Sequence, residues 1–413
     1  MAYDVASVRG LYTSLSDGWT YLNAHACPQI PERVSAAVSR SFRMSTAVAR
    51  PEPAAGSHWR QSAGQPEGFA LLSDARTAVA DLVGAAPERV VLGPNLHALY
   101  SALAASMRPM FRHNSTVVLN NLDRPELTSA LSRADAEVRW AQADLGTGDL
   151  PAWQYRDLVD GTTRLVSVPA VHGLLGNVVA VADVVDTVRS RSRAWVVVDA
   201  SAFAPYRPIT FDEWGADVVA VDLGEMGGPD VAALVFRDEA MFSRLEPLGR
   251  PDAEGAAKLA QRVSPGLAGG VSATVEHYAA LAEPAAGGRR SRRSRLVGSM
   301  TEASAYLNGL RDDLHTFLGT LPAVHIVGVS GEAADGASVD RVPRLSFGVL
   351  GVPSSTVNQR LFANGIVATE APSSQLFDDM GVAEMGGAVT IALGPFNTSN
   401  DVDHLIRAVA SLA

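Results

Sequence analysis

The sequence is poor in cysteine and in lysine. Its 413 residues include one cysteine, Cys27, and one lysine, Lys258, so nearly all of the 34 basic residues are arginine. A single cysteine excludes a disulfide within the chain and any zinc site built from several cysteines. A mechanism that needs a lysine amine must therefore use Lys258 or do without one.

The sequence also lacks a membrane-length apolar run and an excess of positive charge. No apolar run is long enough to cross a bilayer. The opening, MAYDVASVRG, does not have the basic and then apolar pattern of a signal peptide. The formal net charge of −10 argues against nucleic acid or an anionic membrane as the main partner. These absences predict a soluble, cytoplasmic protein.

Common catalytic and metal-binding motifs are missing as well. The sequence has no Walker motif, no glycine-rich dinucleotide fingerprint, no HExxH and no GxSxG. Six histidines show no paired ligand spacing, and we therefore predict no metal site: His58, His113, His277, His315, His325 and His404.

Apolar residues, which make up 47% of the chain, follow a pattern of alternating helices and strands. The β-branched runs Arg164–Pro169 and Trp195–Asp199 are typical of strands covered on both faces. Helical spacing over Ser73–Val83 and other stretches separates such runs. This alternation predicts an α/β fold with a mostly parallel sheet between helices. A long helical stretch, Leu296–Leu318, and later strands predict a smaller α+β unit.

The composition changes near residue 285, and the length of the chain favours two domains. Ala285–Arg295 is rich in glycine and then in arginine, and we interpret it as a linker or a solvated helix start rather than an anion site. We predict an N-terminal segment (1–25) that packs with the small domain, a large α/β domain (26–275) and a C-terminal α+β small domain (276–413).

Five phrases in chain order resemble one family, the class V group of the pyridoxal-phosphate (PLP) fold-type I enzymes, and within it the cysteine desulfurase-like branch. They are Gly18–Pro31, Arg76–Asn95, Val198–Ala200, Gly228-Pro229 and Gly394–Thr398. The resemblance implies a large domain with a mostly parallel seven-stranded sheet sandwiched by helices, plus a smaller α+β C-terminal domain. It also implies a homodimer whose active site lies across the subunit interface.

Two of the positions that hold PLP in this family carry acids here. Such enzymes need a lysine for a Schiff base and an acid for the pyridine nitrogen. The family lysine aligns with Glu225, and a carboxylate cannot form an imine. The serine that donates to the phosphate aligns with Asp222, where an anion would repel it. The acid partner of the nitrogen is kept as Asp199, whereas Lys258 lies well past the strand that should present the amine.

Four further family positions also differ. The aromatic residue that stacks on the ring aligns with Arg124, and the phosphate-binding threonine aligns with His97 or its neighbour. The Ser-Asn pair that contacts cofactor and substrate aligns with His172-Gly173, and the substrate-carboxylate arginine aligns with Thr390. The region Thr369–Gln375 lacks the mobile cysteine of a desulfurase. From these losses we predict that no cofactor, PLP included, is bound, and that ordinary desulfurase, aminotransferase and PLP-epimerase activities are absent.

If the fold is kept, the former cofactor cleft holds a new set of polar residues. The candidate catalytic residues are Glu225, His172, Asp199 and Asp222. The candidate substrate-binding residues are Arg124, His97, His25, Cys27 and Thr390. Carboxylates and imidazoles in a cleft can perform acid–base chemistry, because burial and mutual charge separate their pKa values.

Each of these residues has a functional and a structural interpretation. Functionally, Glu225 is the base, His172 or His97 the acid, and Arg124 the group that holds a carboxylate or an enolate. Structurally, Asp222 and Glu225 form an ion pair with Arg124, and His172 caps a turn. Cys27 is a small buried residue, although its spacing from His25 permits a Cys–His pair.

Two hypotheses of different classes follow. The first is a PLP-independent, repurposed enzyme that performs isomerisation, cyclisation, elimination or hydrolysis on a small metabolite; the arginine-rich composition favours a GC-rich genome and natural-product biosynthesis. The second is a non-catalytic scaffold that partners a biosynthetic enzyme, which the alanines at family contact positions favour (Ala98, Ala202 and Ala273). A third, a residual PLP-dependent lyase or transferase that uses Asp199, has the least support.

Overall fold

The computed structural model describes residues 3–48, 65–282, 290–337 and 339–412. His58 and residues 285–289 of the predicted linker lie outside these ranges. The strands are β1 (Thr20–Tyr21), β2 (Val90–Gly93), β3 (Thr116–Asn120), β4 (Glu137–Ala141), β5 (Thr163–Pro169), β6 (Trp195–Asp199), β7 (Val218–Asp222), β8 (Ala232–Phe236), β9 (Val324–Ile326), β10 (Arg344–Val349), β11 (Ile366–Val367), β12 (Thr369–Glu370) and β13 (Val389–Ala392).

The helices follow the same chain order. They are α1 (Val5–Arg9), α2 (Glu32–Met44), α3 (Gly68–Val83), α4 (Leu96–Ser106), α5 (Pro125–Leu131), α6 (Tyr155–Leu158), α7 (Val181–Arg191), α8 (Phe211–Trp214), α9 (Pro265–Tyr278), α10 (Arg292–Gly319), α11 (Ser354–Ala363), α12 (Gln375–Asp379) and α13 (Ser399–Ala410). None of these helices combines the length and the apolar character needed to span a membrane.

Seven strands form the main sheet in the order β2-β8-β7-β6-β5-β3-β4. β7, β6, β5, β3 and β4 are parallel, whereas β8 is antiparallel to both of its neighbours. The predicted mostly parallel, seven-stranded sheet is therefore confirmed. The two β-branched runs named above form β5 and β6 of this sheet. No such run marks β4, which lies at the sheet edge and has one buried residue out of five.

The β-branched runs form covered strands because both faces of the sheet are packed. Along β6, Val196 and Val198 belong to one apolar core, while Trp195 and Val197 belong to a second one. Successive side chains of a strand point to opposite faces, so the two cores lie on opposite sides of the sheet. Asp199 ends this otherwise apolar strand at the edge where the chain leaves the sheet.

A four-stranded antiparallel sheet, in the order β12-β13-β10-β9, forms the C-terminal unit. The N-terminal segment joins this unit, because β1 pairs in parallel with β11 and Arg9 forms an ion pair with Asp401. The domain limits given above stay a prediction. The limit at 275/276 falls inside α9.

The parallel strands bring the candidate residues to one edge. β3, β5, β6 and β7 all run in the same direction, so their carboxyl ends share an edge of the sheet. Arg124 follows β3, His172 follows β5, Asp199 ends β6, and Asp222 ends β7. Ligands of open α/β sheets bind at this edge.

Candidate active site

Arg124 bridges the ends of β6 and β7. Its Nη2 donates to Asp199 Oδ2 over 3.0 Å, and its Nη1 lies 3.9 Å from Glu225 Oε1. Asp199 is held from the other side, because its Oδ1 accepts from the backbone N–H and the hydroxyl of Ser201 at 3.0 and 2.6 Å. The structure thus places Arg124 against Asp199 and Glu225, whereas the ion pair between Arg124 and Asp222 that the sequence suggested is absent from the described residues.

Glu225 lies between two arginines. Its Oε2 accepts from Arg344 Nη2 at 2.9 Å, and Arg344 is 2% exposed. Arg344 belongs to β10 of the four-stranded sheet, so the ion pair connects the two sheets across the cleft. The same guanidinium donates to the Tyr206 hydroxyl at 3.2 Å and to the Gly173 carbonyl at 3.2 Å. Glu225 therefore serves first as the partner of a buried cation.

Asp222 is the carboxylate of this group with no ion pair among the described residues. It ends β7, and its Oδ1 accepts from the N–H of Gly224 at 3.0 Å. Burial raises the pKa of Asp222 to about 6, and the negative charges of Glu225 and Asp199 add to the shift. The Gly224 N–H and the charge of Arg124 oppose it. A carboxyl with a pKa this close to neutral can both accept and donate a proton.

His172 takes the structural role. Its Nδ1 accepts from the Leu175 N–H at 3.2 Å, and its backbone pairs with Asn177 and Gly176. Burial lowers the pKa of His172 to about 4, with the charge of Arg341 adding to the effect. The neutral ring thus caps the turn after β5, and no hydrogen bond in the described chain links it to Glu225.

The predicted substrate-binding residues separate into two groups. His25 lies near Arg344, and burial together with that charge lowers the pKa of His25 to about 4. Cys27 is exposed two residues further along. By contrast, His97 is exposed and donates from Nδ1 to the Glu126 carbonyl at 2.8 Å, and Thr390 is buried against the Ser346 hydroxyl at 2.7 Å. The structure therefore brings Arg124, Asp199, Asp222 and Glu225 together, with His25 nearby.

Two residues of this region were missed by the sequence analysis. Arg344 was overlooked, although an arginine at the start of the apolar strand Arg344–Val349 signals a buried cation that needs a partner. Asp123 was not proposed as a site residue, although its neighbour Arg124 was. Burial raises the pKa of Asp123 to about 7, against a hydrogen bond that the Asn120 amide donates to its Oδ2 at 2.8 Å.

A small tyrosine-lined cavity lies beside Glu225. Its walls include Tyr12, Tyr206, Tyr278 and Phe396. Tyr206 is fixed at both ends, because its hydroxyl donates to the Leu393 carbonyl at 2.9 Å and the Arg344 guanidinium lies 5.3 Å from its ring centre. With a volume of about 20 Å³, this cavity has room for about one water molecule and is too small for a metabolite.

Comparison with known proteins identifies the family. The sequence profile described as aminotransferase class-V matches residues 20–257. The chain belongs to the class V aminotransferase family. A relative of this class V chain, an uncharacterised protein of Mycobacterium tuberculosis, is 42% identical over 420 residues that cover 100% of both chains. The predicted family is thereby confirmed.

Solved structures show the same fold. The apo cysteine desulfurase from Thermococcus onnurineus superposes with a TM-score of 0.79 and 18% identity, covering 100% of the class V chain and 99% of the desulfurase. A variant of C-DES superposes with a TM-score of 0.75 and 17% identity, covering 97% of this chain and 98% of that one. At these identities the likeness shows the fold alone, and it confirms the predicted architecture.

The prediction that no cofactor belongs here is contradicted and is corrected. The C-DES structure is that of a lysine-to-alanine variant with glycine covalently linked to PLP. The class V chain therefore has the fold of a protein in which PLP is bound. In that neighbour, PLP is present although a lysine has been replaced, so substitutions at the family positions were too weak a basis for the prediction.

The side chains of the cleft do not fit PLP that is anchored through a lysine. The single lysine, Lys258, donates to the carbonyls of Phe242 and Leu245, both at 2.9 Å, far along the chain from the ends of β6 and β7. Glu225 occupies the position that the resemblance assigns to the lysine. Both carboxylate oxygens of Asp199, the predicted partner of the pyridine nitrogen, are already occupied by Ser201 and Arg124.

Proposed function

We propose that this chain is an enzyme that performs acid–base chemistry on a small metabolite bearing a carboxylate. The reaction is an isomerisation, cyclisation, elimination or hydrolysis. The observation that carries the proposal is Asp222, a carboxyl with a near-neutral pKa and no ion pair in the described chain, beside the cation Arg124. We further propose a cytoplasmic, biosynthetic setting, which the acidic and arginine-rich composition of the chain supports.

Arg124 is the cation that a substrate can reach. Its side chain is 34% exposed, whereas that of Arg344 is 2% exposed. Only one nitrogen of Arg124, Nη2, is hydrogen-bonded to Asp199. The 3.9 Å between Arg124 Nη1 and Glu225 Oε1 is longer than a hydrogen bond. A guanidinium has five N–H donors, so a substrate carboxylate can accept two of the remaining ones side by side.

Asp222 then moves the proton. In its ionised form it removes a proton from the substrate atom next to the bound carboxylate, and in its neutral form it returns the proton to the product or to the leaving group. We assign this role to Asp222 rather than to Glu225, because Glu225 is paired with Arg344 at 2.9 Å. Glu225 acts as a positioning residue, because its carboxylate neutralises the buried positive charge of Arg344.

The alternative is a non-catalytic scaffold, and one observation favours it. Arg124 and Arg344 are matched by Asp199 and Glu225, so the cleft already contains a closed set of ion pairs without any ligand. A cleft whose role is structural would have this charge balance. In that case, a partner protein rather than a metabolite would be the ligand of the chain.

Proton exchange with solvent separates these proposals. The full chain is incubated in D2O with a panel of 2-oxo, 2-hydroxy and 2-amino acids, with and without added PLP, and deuterium incorporation is followed by NMR. We expect one class of acid to gain deuterium at the carbon next to its carboxylate. If no acid in the panel exchanges under either condition, the scaffold is favoured and the enzyme is not.

We also propose that the chain forms a homodimer, as the family resemblance implies. Large apolar side chains are exposed on neighbouring α2 and α3, with Phe42 at 53%, Met44 at 46% and Phe69 at 60%. Phe42 packs against α9, where Gly266 leaves room for its ring. Apolar side chains that are grouped in this way are typical of a surface covered by another subunit.

A further inference from the structure

A groove lined by arginines lies at the sheet edge opposite to Arg124. Its walls carry six arginines, which define what we call the arginine groove: Arg112, Arg164, Arg189, Arg191, Arg193 and Arg244. Arg112 precedes β3, Arg164 begins β5, and Arg193 precedes β6, so the groove lies at the amino ends of these strands. β5 has seven residues and runs from the groove to the cleft. The six steps between these residues span about 20 Å, since a strand rises ~3.3 Å per residue.

The arginine groove is strongly positive in a chain whose net charge is −10. No acidic residue is among those that line it. Asp217, which is buried behind the groove, forms an ion pair with Arg189, and Arg237 also shares that carboxylate. Within the described ranges, none of the other five arginines forms an ion pair. The positive charge is therefore concentrated and largely uncompensated.

Several of these guanidinium groups are held in place by neutral partners. Arg164 donates to the carbonyls of Met110 and Gly161 at 3.1 and 2.9 Å, and Arg191 donates to that of Arg156 at 3.2 Å. Arg244 lies over the Trp195 ring at 5.6 Å from its centre. Because the partners are neutral, these contacts order the arginine side chains without neutralising their charge. They also leave N–H groups free for a ligand. Ordering before binding lowers the entropic cost of binding.

We propose that the arginine groove binds a small molecule that carries several linked phosphates, either an inorganic oligophosphate or a nucleoside triphosphate. The planar N–H fork of arginine matches two oxygens of one phosphate. Six guanidinium groups surround one cavity, and a single phosphate is too small to contact all of them. The cavity volume, about 790 Å³, lies in the range of small-molecule sites rather than of single ions. Because the positive charge is local, an extended nucleic acid does not match it.

The arginine groove is separate from the proposed catalytic cleft. Substrates of open α/β sheets bind at the carboxyl ends of the strands, and the groove lies at their amino ends. Occupation of the groove therefore leaves Arg124 and Asp222 accessible. The phosphate compound is a second ligand of this chain, and its binding does not depend on the reaction proposed above.

Calorimetric titration of the full chain tests this site. Tripolyphosphate, ATP, orthophosphate and a ten-residue glutamate peptide are titrated at low and high salt, about 50 and 300 mM, since screening weakens contacts between exposed charges. The variant R112Q/R191Q/R193Q removes three exposed groove arginines. The matched control, R133Q/R360Q/R407Q, removes three exposed arginines elsewhere and changes the net charge equally.

We expect tripolyphosphate to bind with 1:1 stoichiometry, more weakly at the higher salt. The groove variant should lose about tenfold or more in affinity and the control less than about twofold, because a charge-assisted bidentate contact is strong. ATP that binds as tightly as tripolyphosphate shows that the phosphates are recognised, and ATP that binds more tightly shows that the nucleoside adds contacts. The absence of saturable binding, an equal affinity for orthophosphate, a tighter glutamate peptide or an equal loss in the control would each overturn the proposal.

Discussion

Arg344 donates from Nη2 to Glu225 Oε2 across 2.9 Å, and this ion pair joins β10 to the turn that follows β7. Arg344 also donates to the Tyr206 hydroxyl and to the Gly173 carbonyl. One guanidinium from the smaller sheet thus contacts the loops after β5, β6 and β7 of the larger one. Because Arg344 is 2% exposed, its charge depends on these partners.

Removal of Glu225 should destabilise the protein. In Glu225→Ala the Arg344 charge stays buried without its carboxylate, and we expect the free energy of unfolding to fall by about 3–5 kcal/mol. Urea denaturation followed by circular dichroism measures this change. The double variant with Arg344→Met should lose less than the sum of the two single variants, since the pair is then removed as a unit.

The control for this prediction is an exposed pair. Asp252→Asn breaks the contact between Arg250 and Asp252 at the surface, and it should leave the urea midpoint unchanged. A Glu225→Ala protein as stable as the native chain would mean that Arg344 does not depend on Glu225.

Asp222 should make stability depend on pH in a defined window. Its pKa is about 6 in the folded chain and ordinarily 3.8, so between these values the folded state binds more protons than the unfolded state. This contribution therefore weakens the fold as the pH rises from about 4 to 6, and is constant above that window. Asp222→Asn removes the titrating group and should gain stability relative to the native chain across the window. Urea midpoints at several pH values measure this difference; a constant difference would contradict the raised pKa.

Arg124 should set the affinity for the substrate carboxylate. Arg124→Lys keeps the charge beside Asp199 but loses the planar fork, so two parallel hydrogen bonds become one. Once a substrate is known, we expect KM to rise about tenfold while kcat changes less, because a binding contact is weakened. A variant that loses kcat at unchanged KM would place Arg124 in the chemical step instead.

The apolar face of α2 and α3 should hold the dimer together. Phe42→Arg with Phe69→Arg places two charges on this face, and sedimentation velocity should then show a monomer. Trp153→Arg is the matched control, since Trp153 is 64% exposed on another part of the surface and should leave the dimer intact. A native chain that sediments as a monomer at micromolar concentration would refute the proposed dimer.

The sequence predicted the main sheet well because its strands carry strong local signals. Val196, Val197 and Val198 are packed on both faces, and such buried β-branched runs are recognisable without the structure. β4 lacks this signal, because an edge strand needs only one covered face. The resemblance placed Arg124 and the carboxylates in one cleft, but the sequence paired Arg124 with Asp222 and Glu225, whereas its hydrogen bond goes to Asp199.

The contacts that cross between the two sheets could not be predicted. Arg344 lies more than one hundred residues from Glu225, and no local pattern pairs them. For His172 the sequence left a catalytic and a turn-capping interpretation open, and the bond from the Leu175 N–H to its ring agrees with the second. The prediction that no PLP is bound was drawn from several substituted positions together, and it is contradicted by C-DES, which has the same fold and holds PLP even in a lysine-to-alanine variant.

The central claim is that Asp222 moves a proton on a carboxylate substrate. Deuterium incorporation by matched variants is the most direct test of this claim. The native chain, Asp222→Asn and the exposed control Asp378→Asn are compared in D2O with the acid that exchanges in the panel. We expect exchange in the native chain and in Asp378→Asn, and a loss of at least about a hundredfold in Asp222→Asn, in line with the ~10²–10⁴-fold contribution of general acid–base catalysis. Equal exchange in all three proteins would contradict the account.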